Sequence, residues 1–199
     1  MLVVGLTGGI GAGKSTFAAL LAERGAQIVD ADEIGRDALA PGQPAWHSVV
    51  GQFGDEILAA GGMDVDRRKL AGIVFGDARK LAALNAIVHP VILQRIADQL
   101  EWLSKTDSVV VIDAALITEL GLRDSLDVVV VVTTSKGERA ERLVRARGMS
   151  LDDVNARMAS QASPEELEAG ADVVVRNDGS LDDLSAEADR VWAFLQERL

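Results

Sequence analysis

Short apolar runs alternate with amphipathic stretches along this chain. Leu2–Leu6, Ala26–Asp30, Ser108–Asp113, Asp127–Val132 and Ala171–Arg176 are rich in β-branched residues and bounded by Gly, Asp or Thr. Runs of about five apolar residues without polar alternation suit strands covered on both faces. Helical periodicity fills the intervals. Lys14–Arg24 sets Phe17, Leu20 and Leu21 on one stripe, Lys136–Arg147 and Ser150–Gln161 follow the fourth strand, and Leu181–Leu199 is the last helical pattern. In Ser150-Leu-Asp-Asp153 the serine reads as an N-cap, with acids where the helix dipole favours them. Strand–helix alternation of this kind predicts an α/β fold, a doubly wound five-stranded parallel sheet with right-handed crossovers.

The rhythm breaks between strands two and three. From Pro41-Gly-Gln-Pro44 to about Lys105 no strand stands out; Arg67–Phe75, Ala78–Val88 and Pro90–Leu103 read as helices. The break at His89-Pro90 is expected because proline pushes the residue before it out of the α region and suits a first helical position. An insertion of about 60 residues is far longer than an ordinary α/β connection. Lying after a strand's carboxyl end, it reads as an acceptor-binding cap or, alternatively, as a packing layer. The expected organisation is one domain, with a core of 1–40 and 106–199 and a helical insertion at 41–105.

Composition narrows the chemistry. The chain has 199 residues, a net charge of −11, no cysteine and two histidines, His47 and His89. These exclude a disulfide scaffold, a thiol nucleophile and Cys- or His-rich metal sites. The acidic balance argues against nucleic acid or an anionic membrane as partner. No apolar run is long enough to span a bilayer and no basic segment follows Met1, so a soluble, cytoplasmic protein is expected.

Gly8-Gly-Ile-Gly-Ala-Gly-Lys-Ser15 fits G-x-x-x-x-G-K-[ST], after the first strand and opening the first helix. Glycines let successive backbone N–H groups converge, and the helix N-terminus behind them adds partial positive charge. Lys14 would reach the β- and γ-oxygens of a nucleoside triphosphate, and the Ser15 hydroxyl would ligate Mg²⁺. Thr16 is within reach of an α-phosphate oxygen. A guanine-specific switch would need N-K-x-D, which is absent, and a motor needs transmission elements that the chain hardly holds. A kinase needs only a base, a lid and an acceptor pocket.

Candidates for those parts are visible, each beside a plainer reading. Asp32, after strand two, which is expected to neighbour strand one, is a candidate base for an attacking hydroxyl, or a cap for a helix at Glu33–Leu39. Arg139, Arg142 and Arg145 recur at i, i+3 and i+6, with Arg147 at the helix end. They form a phosphate-gripping lid over about 136–161, or a solvated face paired with Glu138 and Glu141. Asp113 ends strand three as a Mg²⁺ or water holder, or as a partner of the loop Ala114–Ile117. His89 reads as a helix cap or a ligand contact.

Taken in order, several segments resemble the dephospho-CoA kinase family. They are Gly5-Leu-Thr-Gly-Gly-Ile-Gly-Ala-Gly-Lys-Ser-Thr16, Asp30-Ala-Asp32, Asn85-Ala-Ile-Val-His-Pro90, Asp113 to Glu119, Arg157-Met-Ala-Ser-Gln161 and Val174-Val-Arg-Asn-Asp-Gly-Ser180. The resemblance implies a P-loop NTPase-type sheet, a helical acceptor segment, a lid, and transfer of the ATP γ-phosphoryl group to the ribose 3′-hydroxyl of dephospho-CoA. It implies ATP binding by Gly11, Ala12, Gly13, Lys14, Ser15, Thr16, Arg142 and Asn177, the last beside the adenine. Asp32, Lys14 and Arg142 would be catalytic, Thr7, Asp32, His89 and Leu116 would meet the acceptor, and Ser15 would hold the metal. Two positions depart from the pattern: Ala115 stands where a proline is usual, and Ala146 where many relatives carry a lid arginine. A kinase of the same architecture acting on a nucleoside or nucleotide, and a nucleotide-gated binding protein, are the alternatives.

Overall fold

Five strands, β1 (Leu2–Thr7), β2 (Gln27–Asp30), β3 (Val109–Asp113), β4 (Val128–Thr133) and β5 (Val173–Arg176), pair in parallel in the order β2-β3-β1-β4-β5. The structure is a computed structural model; it describes every residue except Leu116, Thr118, Met149 and Ser160, and excepting also the side chains of Ala146 and Arg147. The strands lie within a residue or two of their expected positions. Their neighbours correct one expectation: β2 pairs with β3, not with β1. Burial explains the order. Every residue of β3 is buried, whereas β2 exposes Gln27 and half-exposes Ile28 and Asp30. The fully buried strand, apolar up to its terminal Asp113, takes the interior position and the partly exposed one the margin.

The chain divides into two compact units, Met1–Asp30 with Glu101–Leu199, and Ala31–Leu100. In the first, α1 (Lys14–Glu23) and the last helix, Leu181–Gln196, cover one sheet face. Phe17, Leu21, Val191 and Leu195 pack there on Val4, Leu6, Val130 and Val175. All but a few per cent of this apolar surface is out of water, and each large side chain so buried contributes about 2 kcal/mol before the cost of ordering it.

The second unit begins at Ala31 and ends at Leu100, where 41 and 105 were the expected edges. It holds α2 (Ala31–Ala38), α3 (Pro44–Phe53), α4 (Arg67–Val74) and most of α5 (Ala78–Leu103). Val49, Phe53, Ile57, Leu70 and Val74 form its core, with Leu81, Leu84, Ile87 and Val88 packed against them. Periodicity did not announce α3, although Pro44 at its first turn is a start signal.

The expected break at His89-Pro90 does not occur: α5 runs through both residues as one helix. Proline deletes the hydrogen bond that position 90 would make to the Ala86 carbonyl. Both Ala86 and Pro90 are exposed, so water can satisfy that carbonyl, while apolar residues on either side keep the helix packed. Pro90→Ala restores the missing bond and removes no buried surface. It is expected to stabilise the protein by about 1–2 kcal/mol, the helix gain of a proline removal less the freedom returned to the unfolded chain. A raised urea midpoint checks this.

Two further helices, α6 (Lys136–Arg147) and α7 (Leu151–Ala159), follow β4; then come the short α8 (Pro164–Ala169) and α9, the Leu181–Gln196 helix. Ser150 caps α7 as its sequence suggested, its hydroxyl accepting from Asp153 N–H at 3.1 Å.

Candidate active site

The loop joining β1 to α1 is built by its glycines. Gly11 and Gly13 have φ of +81° and +98°, conformations that side chains rarely adopt. A side chain at Gly8 would strike the Val132 carbonyl of β4, and one at Gly13 the Asn177 amide. Side-chain acceptors cap α4, α6, α8 and α9. Among the described residues none caps α1, whose first turn also holds no acid. Its first amide N–H groups are therefore left for an external acceptor, and the helix dipole favours an anion there.

Lys14, the first residue of α1, ion-pairs with Asp113, whose side chain is 6% exposed against 12% for Lys14. The strand order makes this pair: β3 lies beside β1, so Asp113 ends its strand next to the phosphate loop. Register also sets Asp30 opposite Asp113 at the carboxyl ends of β2 and β3. Asp113 is thus a partner of Lys14, in addition to any role at a cation. Ser15 and Thr16 are exposed on the first turn of α1. A hydroxyl at Ser15 and a carboxylate at Asp113 form a donor set of hard oxygens, the kind Mg²⁺ takes.

Asn177 is fixed from several sides. Its N–H donates to the Thr133 carbonyl at 2.8 Å, and its buried side-chain amide donates to the Ala12 carbonyl at 2.8 Å. Arg142 Nη2 donates to the Asn177 carbonyl at 2.9 Å and lies 3.6 Å from Glu138. The neighbouring Asp178 accepts from Thr134 Oγ1 at 2.7 Å, stitching this turn to the end of β4. In this structure Asn177 thus serves the phosphate loop directly. Asn177→Ala is expected to leave the Ala12 carbonyl short of a partner and to weaken ATP binding about tenfold, with about 1–2 kcal/mol lost in stability. Calorimetric titration with ATP and urea unfolding measure the two effects.

The three arginines of α6 divide their work. Arg145 is largely exposed and paired with Glu141 at 3.8 Å, the solvated-face reading. Arg142 holds the Asn177 turn. Arg139, only 5% exposed, points into the phosphate loop, and burial lowers its guanidinium pKa from the ordinary value. The spacing singled out all three, but only the rotation of α6 against the phosphate loop decides between them. The Arg147 side chain and Leu116 lie outside the described residues, so neither the lid substitution at Ala146 nor the Leu116 contact has a described geometry.

Thr7, 5% exposed at the end of β1, donates to the Ala115 carbonyl at 3.4 Å. It lines a cavity of about 380 Å³, with Gly8, Ile117, Gln161 and Leu167 among its walls and Glu119 and Arg123 adding charge. Of the remaining expected site residues, Asp32 and His89 belong to the second unit. Asp32 is exposed and is the second residue of α2, so it is not the cap of that helix; His89 is half-buried inside α5 and is not a cap either.

Comparison with known proteins shows the family of the chain. The dephospho-CoA kinase family model matches residues 2–183. A dephospho-CoA kinase of Streptomyces avermitilis is 50% identical over 198 residues, covering 100% of this chain and 96% of that protein. One from Thermobifida fusca is 45% identical, with 100% and 98% covered. The solved structure of dephospho-CoA kinase from Campylobacter jejuni superposes with a TM-score of 0.72 at 26% identity, covering 98% of this chain and 97% of that one. With a five-stranded parallel sheet, a phosphate loop at the carboxyl end of β1 and matches along nearly its whole length, the chain belongs to the dephospho-CoA kinase family and is a phosphate-transferring enzyme of the P-loop kinase type.

Proposed function

We propose that this chain transfers the γ-phosphoryl group of ATP to the ribose 3′-hydroxyl of dephospho-CoA, giving coenzyme A and ADP. The observation that carries the reading is the loop of Gly11 and Gly13 with Lys14 held by Asp113. It is a pre-formed anion cradle with its cation already positioned, in a chain of this family.

Gly11 to Thr16 bind the phosphates through backbone N–H groups and hydroxyls. Lys14 offsets charge on the transferred group, and Arg142 adds a second cation from α6. Asp32 is the base: it accepts the 3′-hydroxyl proton as that oxygen forms its bond to the γ-phosphorus and the bond to the β,γ-bridging oxygen breaks, releasing ADP. Mg²⁺, held by Ser15 and by Asp113 directly or through water, would supply neutralisation of phosphate charge. The insertion and its flanks, with His89, bind the acceptor together with Thr7 and Leu116, and the helices at 136–161 act as lid.

The test is an acceptor panel with ATP: dephospho-CoA, nucleosides and nucleoside monophosphates, each product identified by mass. Turnover is expected on dephospho-CoA, with a gain of one phosphate on the ribose. Preferential turnover of a nucleoside or nucleotide moves the assignment to another acceptor. Stoichiometric nucleotide binding with no acceptor phosphorylated removes the enzymatic reading.

A further inference from the structure

Ile10 sits in the middle of the phosphate loop, and both of its backbone polar groups are taken by side chains distant in sequence. Its carbonyl accepts from Arg139 Nε at 2.9 Å, and its N–H donates to Gln161 Oε1 at 2.8 Å. The same Gln161 oxygen accepts from Arg139 Nη2 at 3.3 Å, which closes a three-membered network across α6, the segment after α7 and the loop. Space enforces the contact. A side chain at Gly9 would come within 2.5–2.9 Å of the Arg139 guanidinium, and one at Gly11 within 2.9 Å of the Arg139 carbonyl.

We propose that Arg139 and Gln161 are positioning residues that fix the Ile10 peptide groups and thereby set the affinity of the phosphate loop for a triphosphate. An anion cradle needs its N–H groups turned inward and its carbonyls turned away. Arg139 draws the Ile10 carbonyl onto itself, and Gln161 takes the Ile10 N–H, so the converging donors start at Gly11. Arg139 has no carboxylate partner among the described residues. Burying a cation on neutral acceptors alone is costly, and a polyphosphate is the ligand whose charge offsets that cost. Its placement 5% exposed beside an anion site is therefore functional rather than incidental. Gln161 also lines the cavity beside Thr7, so the network borders the space where the acceptor is proposed to lie.

The inference rests on the phosphate-loop reading, and the experiment separates the two. Arg139→Lys, Gln161→Ala, Gln161→Glu and the double variant Arg139→Lys/Gln161→Ala are assayed in the full chain for kcat, for KM of ATP and of dephospho-CoA, and for melting temperature. Arg139→Lys keeps the charge but not the two-directional fork. It and Gln161→Ala are each expected to raise KM for ATP roughly tenfold or more, the scale of a lost hydrogen bond to a charged group. KM for the acceptor should change much less than KM for ATP, since the network's hydrogen bonds are made to the loop. The double variant should be no worse than the poorer single one, because either change opens the same network. Gln161→Glu keeps an acceptor for both donors but gives Arg139 a carboxylate partner in place of a polyphosphate, so it should raise KM for ATP without lowering the melting temperature. Lowered melting temperature with unchanged KM for ATP would show a merely structural role and overturn the proposal, as would additive losses or a Gln161→Glu variant with the parental KM for ATP. Gln161 is half-buried, so its variants are expected to fold even where Arg139→Lys does not. A parent protein that binds no ATP would sink the phosphate-loop reading itself.

Discussion

Lys14→Ala is expected to lower phosphoryl transfer to dephospho-CoA by about a thousandfold, the upper range for removing one preorganised charge stabiliser. It should also cost stability, because the amine is one partner of Asp113, a carboxylate in a residue 4% exposed. About 2 kcal/mol is the scale for a lost hydrogen bond to a buried charge. The two losses can be separated. Lys14→Ala combined with Asp113→Asn relieves the buried charge and should recover much of the urea midpoint while recovering none of the transfer. A Lys14→Ala enzyme that turned over at a parental rate would remove Lys14 from the chemistry and leave it a structural partner of Asp113.

Asp32→Asn carries the second large effect. The amide is nearly isosteric with the carboxylate but cannot take a proton, so kcat should fall by about 10²–10⁴ while calorimetric ATP affinity stays unchanged. Stability should fall by no more than about 1 kcal/mol, the scale of an exposed acid's interaction with the dipole in the first turn of α2. Unchanged turnover would dismiss Asp32 as base and direct attention to Asp30, which ends β2 in register with Asp113. Loss of ATP binding instead would make Asp32 part of the donor site.

Much of this was legible because it depends on near neighbours. Valine-rich runs such as Val128–Val132 have few alternatives to a covered strand, and a glycine-rich turn followed by Lys and Ser specifies its own backbone. The Ser150 cap is equally local. The His89-Pro90 signal misled for the opposite reason. Proline's penalty is local, but whether a helix ends there depends on what packs on either side, and here the apolar residues of α5 keep it whole. The arginines of α6 show a third case. Their spacing identified a cationic face, yet one is solvated, one holds a turn and one enters the loop.

By itself, then, the sequence determined the kinds of element, their succession and the phosphate loop, since these follow from residues within about a helical turn of one another. Tertiary structure decided that β3 lies between β1 and β2, so that Asp113 meets Lys14. It also decided that Asn177 steadies Ala12 across 165 positions of chain, and that Arg139 and Gln161 share the Ile10 peptide groups. Such pairings are set by which faces can be buried together, a property of the whole assembled chain that no short window of residues contains.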